Sequence, residues 1–238
     1  MNSNTSMKNA RQRTRDRLVA LVVMALFVAL AYVCELFFRI KVSFLTFDIK
    51  DAVMAICAMF FGPLSGGAVA LALSLIEFIT VSDTGPWGLV MNFGSSATFV
   101  CVASAIYKYA PKIKKTLIGS IVGLAGTVIA TTGVMMILNL VITPIYMGVE
   151  RSQVVALIPK LLFPFNLTKA ALNAGLVLVL YKPLSTAMYR AHVISGKVPD
   201  YKFDKKSVAV MIAGVCFIAI CVAVFLLALN GKFDLGIK

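Results

Sequence analysis

The sequence predicts an all-α integral membrane protein in which six helices form one bundle and an additional transmembrane helix follows at the C-terminus. Of the 238 residues, 60% are hydrophobic and only 14% are charged. The mean hydropathy is +0.93, which is typical of a chain that crosses a lipid bilayer several times. The polar stretches between the apolar runs are too short to close a core of their own. We therefore expect one membrane domain and no separate soluble domain.

The apolar runs locate the helices. A helix needs about 20 apolar residues to span a bilayer, and runs of roughly that length or longer occupy residues 18–38, 52–82, 89–107, 117–147, 161–181 and 208–229. The second run is too long for one span, and "FFGPLSGG" at 60–67 places Gly62-Pro63 in its middle. Because this pair ends one helix and begins another, the run predicts two helices, of which the first, about 48–61, is short.

The basic residues predict the orientation and the organisation of the chain. With the N-terminus in the cytoplasm, 15 of the 23 Lys and Arg residues fall in cytoplasmic segments, and 7, including Lys50, fall in outer ones. This asymmetry agrees with the positive-inside rule. The predicted segments, in a protein of the cell membrane, are a cytoplasmic basic tail (1–17), a six-helix domain (18–190), a cytoplasmic linker (191–207) and the additional helix (208–229).

The composition excludes several functional classes. The net charge of +13 gathers at the ends of apolar runs, where it indicates topology and not nucleic acid binding. One histidine, His192, and five cysteines without CxxC spacing give almost no material for a metal site or a catalytic triad. The sequence has no GxxxxGK[ST] motif, so the chain does not hydrolyse ATP by that machinery. We expect neither an enzyme nor a resident cofactor.

A lysine within the apolar run 161–181 predicts a binding cavity. A charge at bilayer depth costs roughly 2.5–3.5 kcal/mol on insertion scales unless it meets a partner, a cavity or water. In "FPFNLTKAALNAG" at 163–175, helical spacing places Asn166, Lys169 and Asn173 on one face of a helix that begins near Pro164. The alternative is a Lys169 side chain that extends to the membrane surface. The two asparagines on the same face favour a polar cavity.

Other polar side chains are expected at the same outer level of the membrane. Taken singly, each has a structural explanation as a helix cap, an interhelical hydrogen bond or a solvated charge. Together they predict an outward-facing pocket for a neutral polar molecule, and they are Thr46, Asp48, Asn92 and Asn139. The aromatic residues expected to complete the pocket are Trp87, Phe93, Tyr146 and Phe165.

A pair of small residues on the first helix predicts a close helix contact. Ala25 and Ala29 lie one turn apart on one face and allow another helix to approach closely. The partner helix belongs either to this bundle or to another protein, and composition does not choose between the two.

Four segments, taken in order, resemble the substrate-binding S component of energy-coupling-factor vitamin transporters, and most closely its riboflavin-specific branch. They are "FLTFDIKDAVMAICAMFFGPLSGG", "TGPWGLVMNF", "LNLVITPIYMG" and "PFNLTKAALN". The similarity covers about residues 15–190. The motifs at Leu138–Tyr146 and Pro164–Lys169 support the riboflavin branch, whereas the split second run and the Ala25–Ala29 pair are shared more widely among S components.

The resemblance implies a six-helix protein that binds riboflavin from outside and docks on a module of one membrane scaffold protein and two ATPases. It implies that Asn139, Asn166 and Lys169 hydrogen-bond the polar edge of the isoalloxazine ring, and that Ala25 and Ala29 contact the scaffold. The run 208–229 departs from the family pattern.

Three alternatives remain open from the sequence. An S component for another vitamin or a nucleobase-like solute is the nearest one. A self-sufficient secondary transporter would show inverted repeats or paired broken helices, which we do not find. A membrane-embedded enzyme would need paired acids or a nucleophile with a base, and the intramembrane acids Glu35 and Glu77 have no evident partner in the sequence.

Overall fold

The computed structural model describes residues 3–42, 44–82, 84–111 and 117–191, together with 209, 212–217, 219–220 and 223. Two short strands and seven α-helices follow one another between residues 3 and 190. In chain order they are α1 (Ser3–Phe37), β1 (Ile40–Val42), β2 (Leu45–Phe47), α2 (Lys50–Phe61), α3 (Pro63–Thr80), α4 (Gly85–Tyr109), α5 (Leu117–Met147), α6 (Arg151–Leu157) and α7 (Phe163–Arg190). A π-helical turn, Ile158–Leu162, joins α6 to α7.

The fold is the predicted all-α membrane bundle. Five helical stretches are long and apolar enough to cross a membrane, namely Ala10–Phe37, Pro63–Thr80, Gly85–Tyr109, Gly119–Met147 and Arg151–Arg190. The sixth helix of the bundle, α2, has only 12 residues. It packs against α1, α3, α4 and α7, and its side chains from Lys50 to Met59 are buried. The short helix is therefore at the centre of the bundle.

The break in the second apolar run is where the sequence predicts it. Gly62 has a φ of 107°, which residues with a Cβ rarely adopt, and Pro63 begins α3, where its missing N–H costs no hydrogen bond. A Cβ on Gly66 would collide with the side chain of Ala58. The glycines thus allow α2 and α3 to fold back closely on each other.

The structure differs from the sequence expectation at both ends of the bundle. The basic segment treated as a tail is helical from Ser3 and continues into α1 without a break. The α-helix that carries Lys169 begins at Phe163, beside the predicted Pro164, but it is not a free helix end, because α6 and the π-helical turn precede it from Arg151. The two strands pair in an antiparallel arrangement, with Ile40 opposite Phe47 and Val42 opposite Leu45. The sequence does not predict them, since three residues are too few to give an alternating pattern.

Part of the additional C-terminal helix lies within the described residues. Positions 212–217 are helical, and a Cβ on Gly214 would come within 2.9 Å of Val179 and 3.5 Å of the Gly175 carbonyl of α7. The helix therefore contacts α7 through small residues. Of the predicted linker 191–207, residues 192–207 lie outside the described residues, as do 208, 210–211, 218, 221–222 and 224–229 of the predicted helix, so these boundaries stay predictions.

Candidate ligand-binding site

A cavity of about 260 Å³ opens at the end of the bundle that carries the β1–β2 hairpin. The hairpin contributes Leu45 and Thr46, and the helices α1, α3, α4, α5 and α7 contribute the other walls. The volume is slightly below the range that is usual for small-molecule sites, about 300–1,000 Å³. Aromatic rings and polar side chains both line it, so the cavity suits a small molecule with a flat apolar part and polar edges.

The cavity brings together four of the seven predicted ligand-binding residues, Thr46, Asn92, Asn166 and Lys169. Of the four predicted aromatic residues, Trp87, Tyr146 and Phe165 also line it. Phe93 does not line the cavity and instead packs against the hydrophobic core around α2.

Lys169 is held inside the protein. Its Nζ atom lies 2.7 Å from Oδ2 of Asp48 and 3.2 Å from the backbone carbonyl of Thr46, and its side chain is 11% exposed. In this position the side chain does not extend to the membrane surface. An ammonium group has three N–H donors, so the two bonds leave one donor for a ligand in the cavity.

Asp48 and Asn173 do not line the cavity and instead support its floor. Asn173 donates to the carbonyl of Asp48 at 3.0 Å and accepts a hydrogen bond from the backbone N–H of Ala52 at 2.9 Å. These bonds fix α7 to the first turn of α2. The carboxylate that holds Lys169 is thereby held in place itself.

Asn139 also lies behind the cavity wall. It is fully buried, it donates to the carbonyl of Met135 at 2.7 Å, and its oxygen accepts from the hydroxyl of Thr143 at 2.9 Å. Met135 and Thr143 line the cavity in its place. The Asn139 side chain bonds two residues of its own helix, and helical spacing alone does not predict this direction.

Sequence reasoning missed Lys50. The sequence analysis assigns Lys50 to an outer segment and gives Glu35 and Glu77 no evident partner. The structure gives both acids a partner, because the Lys50 Nζ lies 3.1 Å from Glu35 and 2.6 Å from Glu77, with all three side chains at most 3% exposed. The signal that could have located this cluster is that all three residues fall at the same predicted outer level of the membrane.

The buried charges form one continuous network. Asp48 connects the two lysines, with its Oδ2 2.7 Å from Lys169 and 3.9 Å from Lys50. Asn92 donates to Glu77 at 3.0 Å. Elsewhere on α2, the equally buried Asp51 accepts from Ser96 at 2.6 Å. Buried ion pairs persist only with partners for each charge, and here carboxylates are in excess over ammonium groups.

The chain is similar to proteins of established identity. It is 28% identical over 194 residues to the riboflavin transporter RibU of Staphylococcus aureus (strain TCH60), which covers 77% of this chain and 100% of that protein. A solved structure of the S component of a bacterial ECF transporter superposes with a TM-score of 0.60 at 27% identity, over 71% of this chain and 96% of that one.

The family model agrees with both relatives. The model described as "ECF transporter, substrate-specific component" matches residues 19–181, which include every residue that lines the cavity. The predicted resemblance is therefore confirmed at the level of the family. This match spans more than half of the chain, and the chain belongs to the family of substrate-specific components of ECF transporters.

Proposed function

We propose that this chain captures riboflavin from outside the cell and delivers it through an ECF transporter. The observation that carries the proposal is the cavity itself, which is lined by Asn166 and Lys169 from one face of α7 and by the aromatic residues Trp87, Tyr146 and Phe165. The similarity to a protein named as a riboflavin transporter supports the choice of ligand.

The polar groups on α7 complement one edge of the isoalloxazine ring. That edge carries carbonyl acceptors and one N–H donor. Asn166 donates one hydrogen bond to the Leu162 carbonyl at 2.7 Å, which leaves its amide oxygen and a second N–H for a ligand. Together with the remaining donor of Lys169, this set provides both donors and an acceptor without requiring a charged substrate.

The residues behind the wall keep these groups in place. Thr46 and Asp48 hold Lys169, and Asn173 holds the backbone of Asp48. Asn92 lines the cavity and is fixed by its bond to Glu77. In this proposal Asn139 acts indirectly, through Thr143. A site whose side chains are fixed before the ligand arrives loses less entropy on binding.

The first helix provides the docking face. Ala25 and Ala29 are exposed on α1, so this face does not pack against the described bundle. It is open to a partner helix, and we assign it to the membrane scaffold of an energising module with two ATPase subunits. In this proposal the N-terminus and the linker 191–207 are cytoplasmic, on the same side of the membrane as the ATPase subunits.

Binding of riboflavin to the purified protein tests the ligand. We expect the protein to quench riboflavin fluorescence at a stoichiometry of about one, and Lys169→Met to weaken binding at least tenfold. Lys160→Met is the matched control, because Lys160 is exposed in the π-helical turn outside the cavity. Wild-type protein that binds no flavin would refute riboflavin and direct the search to another vitamin or a nucleobase-like solute.

A further inference from the structure

An apolar groove of about 270 Å³ runs between α1 and the C-terminal part of α7. We propose that it binds an anionic phospholipid, with one acyl chain in the groove and the phosphate group beside the arginines at the start of α1. The inference is independent of the ligand in the cavity, because the groove and the cavity share no lining residue.

The lining of the groove is apolar throughout. Phe27 of α1 and Met188 of α7 are its buried members, whereas Leu26 and Ala187 are exposed at its edge. Both α1 and α7 pack on α2, and the groove lies between them. A concave surface without polar groups suits a hydrocarbon chain, since a polar ligand placed there would lose its hydrogen bonds to water without replacing them.

The groove lies in the part of the membrane nearer the N-terminus. Its α1 residues fall within 23–30, which is about 7–18 Å from the start of the apolar run at Leu18, at a rise of about 1.5 Å per residue. One leaflet contributes about 15 Å of the hydrocarbon core. A chain in the groove therefore belongs to a lipid of the leaflet on the N-terminal side, which is the cytoplasmic one in the orientation proposed above.

Four exposed arginines precede the apolar run on the same helix. Among the described residues, none of their guanidinium groups forms an ion pair, and Asp16 between them accepts a hydrogen bond from Gln12. Helical spacing places Arg13 and Arg15 about 80° to either side of Val23. Both lie within about 8 Å of the apolar run along the helix axis, which is the depth of the lipid headgroups. The four are Arg11, Arg13, Arg15 and Arg17.

The chemistry of the arginines indicates the class of lipid. A guanidinium group donates two parallel hydrogen bonds to a phosphate. Phosphatidylcholine carries that phosphate beside a quaternary ammonium group, which the arginines repel, whereas phosphatidylglycerol carries it beside neutral hydroxyl groups. Two arginines at the surface therefore favour the anionic headgroup by about tenfold or more.

Other occupants fit the groove less well. Residues 197–206 carry six charged side chains, which an apolar groove does not accommodate. The additional C-terminal helix contacts α7 at Gly175 and Val179, and these lie on the opposite face of α7 from Leu184 and Met188. The face of α1 proposed for docking points more than about 100° away from the centre of the groove. A lipid therefore meets no competing segment among the described residues.

The experiment compares two phospholipids with identical acyl chains. The purified full chain is stripped of lipid in detergent and titrated with phosphatidylglycerol or phosphatidylcholine, and native mass spectrometry counts the bound lipids. We expect wild-type protein to bind one phosphatidylglycerol about tenfold or more tighter than phosphatidylcholine. Arg13→Gln with Arg15→Gln should remove this preference. Arg151→Gln with Lys160→Gln is the control, because it removes the same charge from exposed positions in a predicted outer segment.

A second variant tests the groove itself. Ala187→Trp places an indole ring at the exposed edge of the groove, where it takes the space of the acyl chain. We expect it to weaken phosphatidylglycerol binding about tenfold or more, because the chain loses apolar contact. Ile129→Trp is the control, at an exposed position of α5 that does not line the groove.

The results separate a built lipid site from ordinary contact with the membrane. Loss of tight phosphatidylglycerol binding in both the arginine variant and Ala187→Trp, with both controls unchanged, supports the site. Equal binding of the two lipids by wild-type protein overturns it. Binding of neither lipid leaves the groove to a helix of a partner protein and overturns it too. A loss in only one of the two variants also contradicts the proposal, since the arginines or the groove would then act alone.

Discussion

The ammonium group of Lys169 lies 2.7 Å from the carboxylate of Asp48, a residue 121 positions earlier in the chain. This contact fixes the last span of the bundle to the loop between the hairpin and α2. Because the pair is buried, each charge depends on the other for its stability in the protein. Ligand recognition by Lys169 and the stability of the bundle are therefore linked through one carboxylate.

Replacing Lys169 by methionine tests this link. We expect riboflavin affinity to fall roughly ten- to hundredfold, for the loss of one charge-assisted hydrogen bond. We also expect a lower unfolding temperature, since Asp48 keeps only the more distant Lys50 at 3.9 Å. The double variant Lys169→Met with Asp48→Asn removes the unpaired charge and should recover the unfolding temperature but not the affinity. Recovery of both would show that Lys169 acts through the fold alone.

Two asparagines on the same helix should behave differently. Asn166 lines the cavity, whereas Asn173 bonds the backbone of α2 and lies behind it. Asn166→Leu should weaken riboflavin binding and change the unfolding temperature little. Asn173→Leu leaves a buried N–H and a buried carbonyl without partners, and each costs about 1–3 kcal/mol, so it should lower the unfolding temperature first. Titration and thermal unfolding of both purified variants decide between the two roles, and equal effects on stability would contradict them.

How far the site could be predicted depended on whether its partners lie on one helix. The polar face of α7 follows from the spacing of Asn166, Lys169 and Asn173, and the break at Gly62-Pro63 from local backbone chemistry. Both are properties of a single stretch of chain. Lys50 and its partners lie on three helices, and a sequence does not say which helices are neighbours.

Other errors had local causes. The direction of the Asn139 side chain depends on a choice between its own helix and the cavity, which periodicity does not resolve. Lys50 is the first residue of α2 and stands two positions before its first apolar residue, Ala52, a position that also suits a solvated helix end. Only the central position of α2 in the bundle makes it buried.

Removing Lys50 should be more damaging than removing any cavity-lining polar group. Lys50→Met leaves Glu35 and Glu77 buried without their shared cation, and loss of one partner of a buried pair costs about 3–5 kcal/mol. We expect little folded protein in the membrane. Adding Glu35→Gln and Glu77→Gln to Lys50→Met removes the uncompensated charges and should restore the yield. Normal yield of the single variant, measured by size-exclusion chromatography in detergent, would contradict the central role of this ammonium group.

Docking can be separated from ligand binding through the exposed face of α1. Ala25 and Ala29 are exposed one turn apart, so a tryptophan at either position projects from the bundle and blocks the close approach of a partner helix. Ala25→Trp and Ala29→Trp should abolish riboflavin uptake by cells while the purified variants bind riboflavin with unchanged affinity.

The control is Ile129→Trp, at a position on α5 that is 74% exposed and outside the proposed docking face. Lost affinity and low expression of both alanine variants would mean that this face packs within the protein, since overpacked cores lose about 1–3 kcal/mol. Uptake at the wild-type rate by both variants would remove Ala25 and Ala29 from the docking surface.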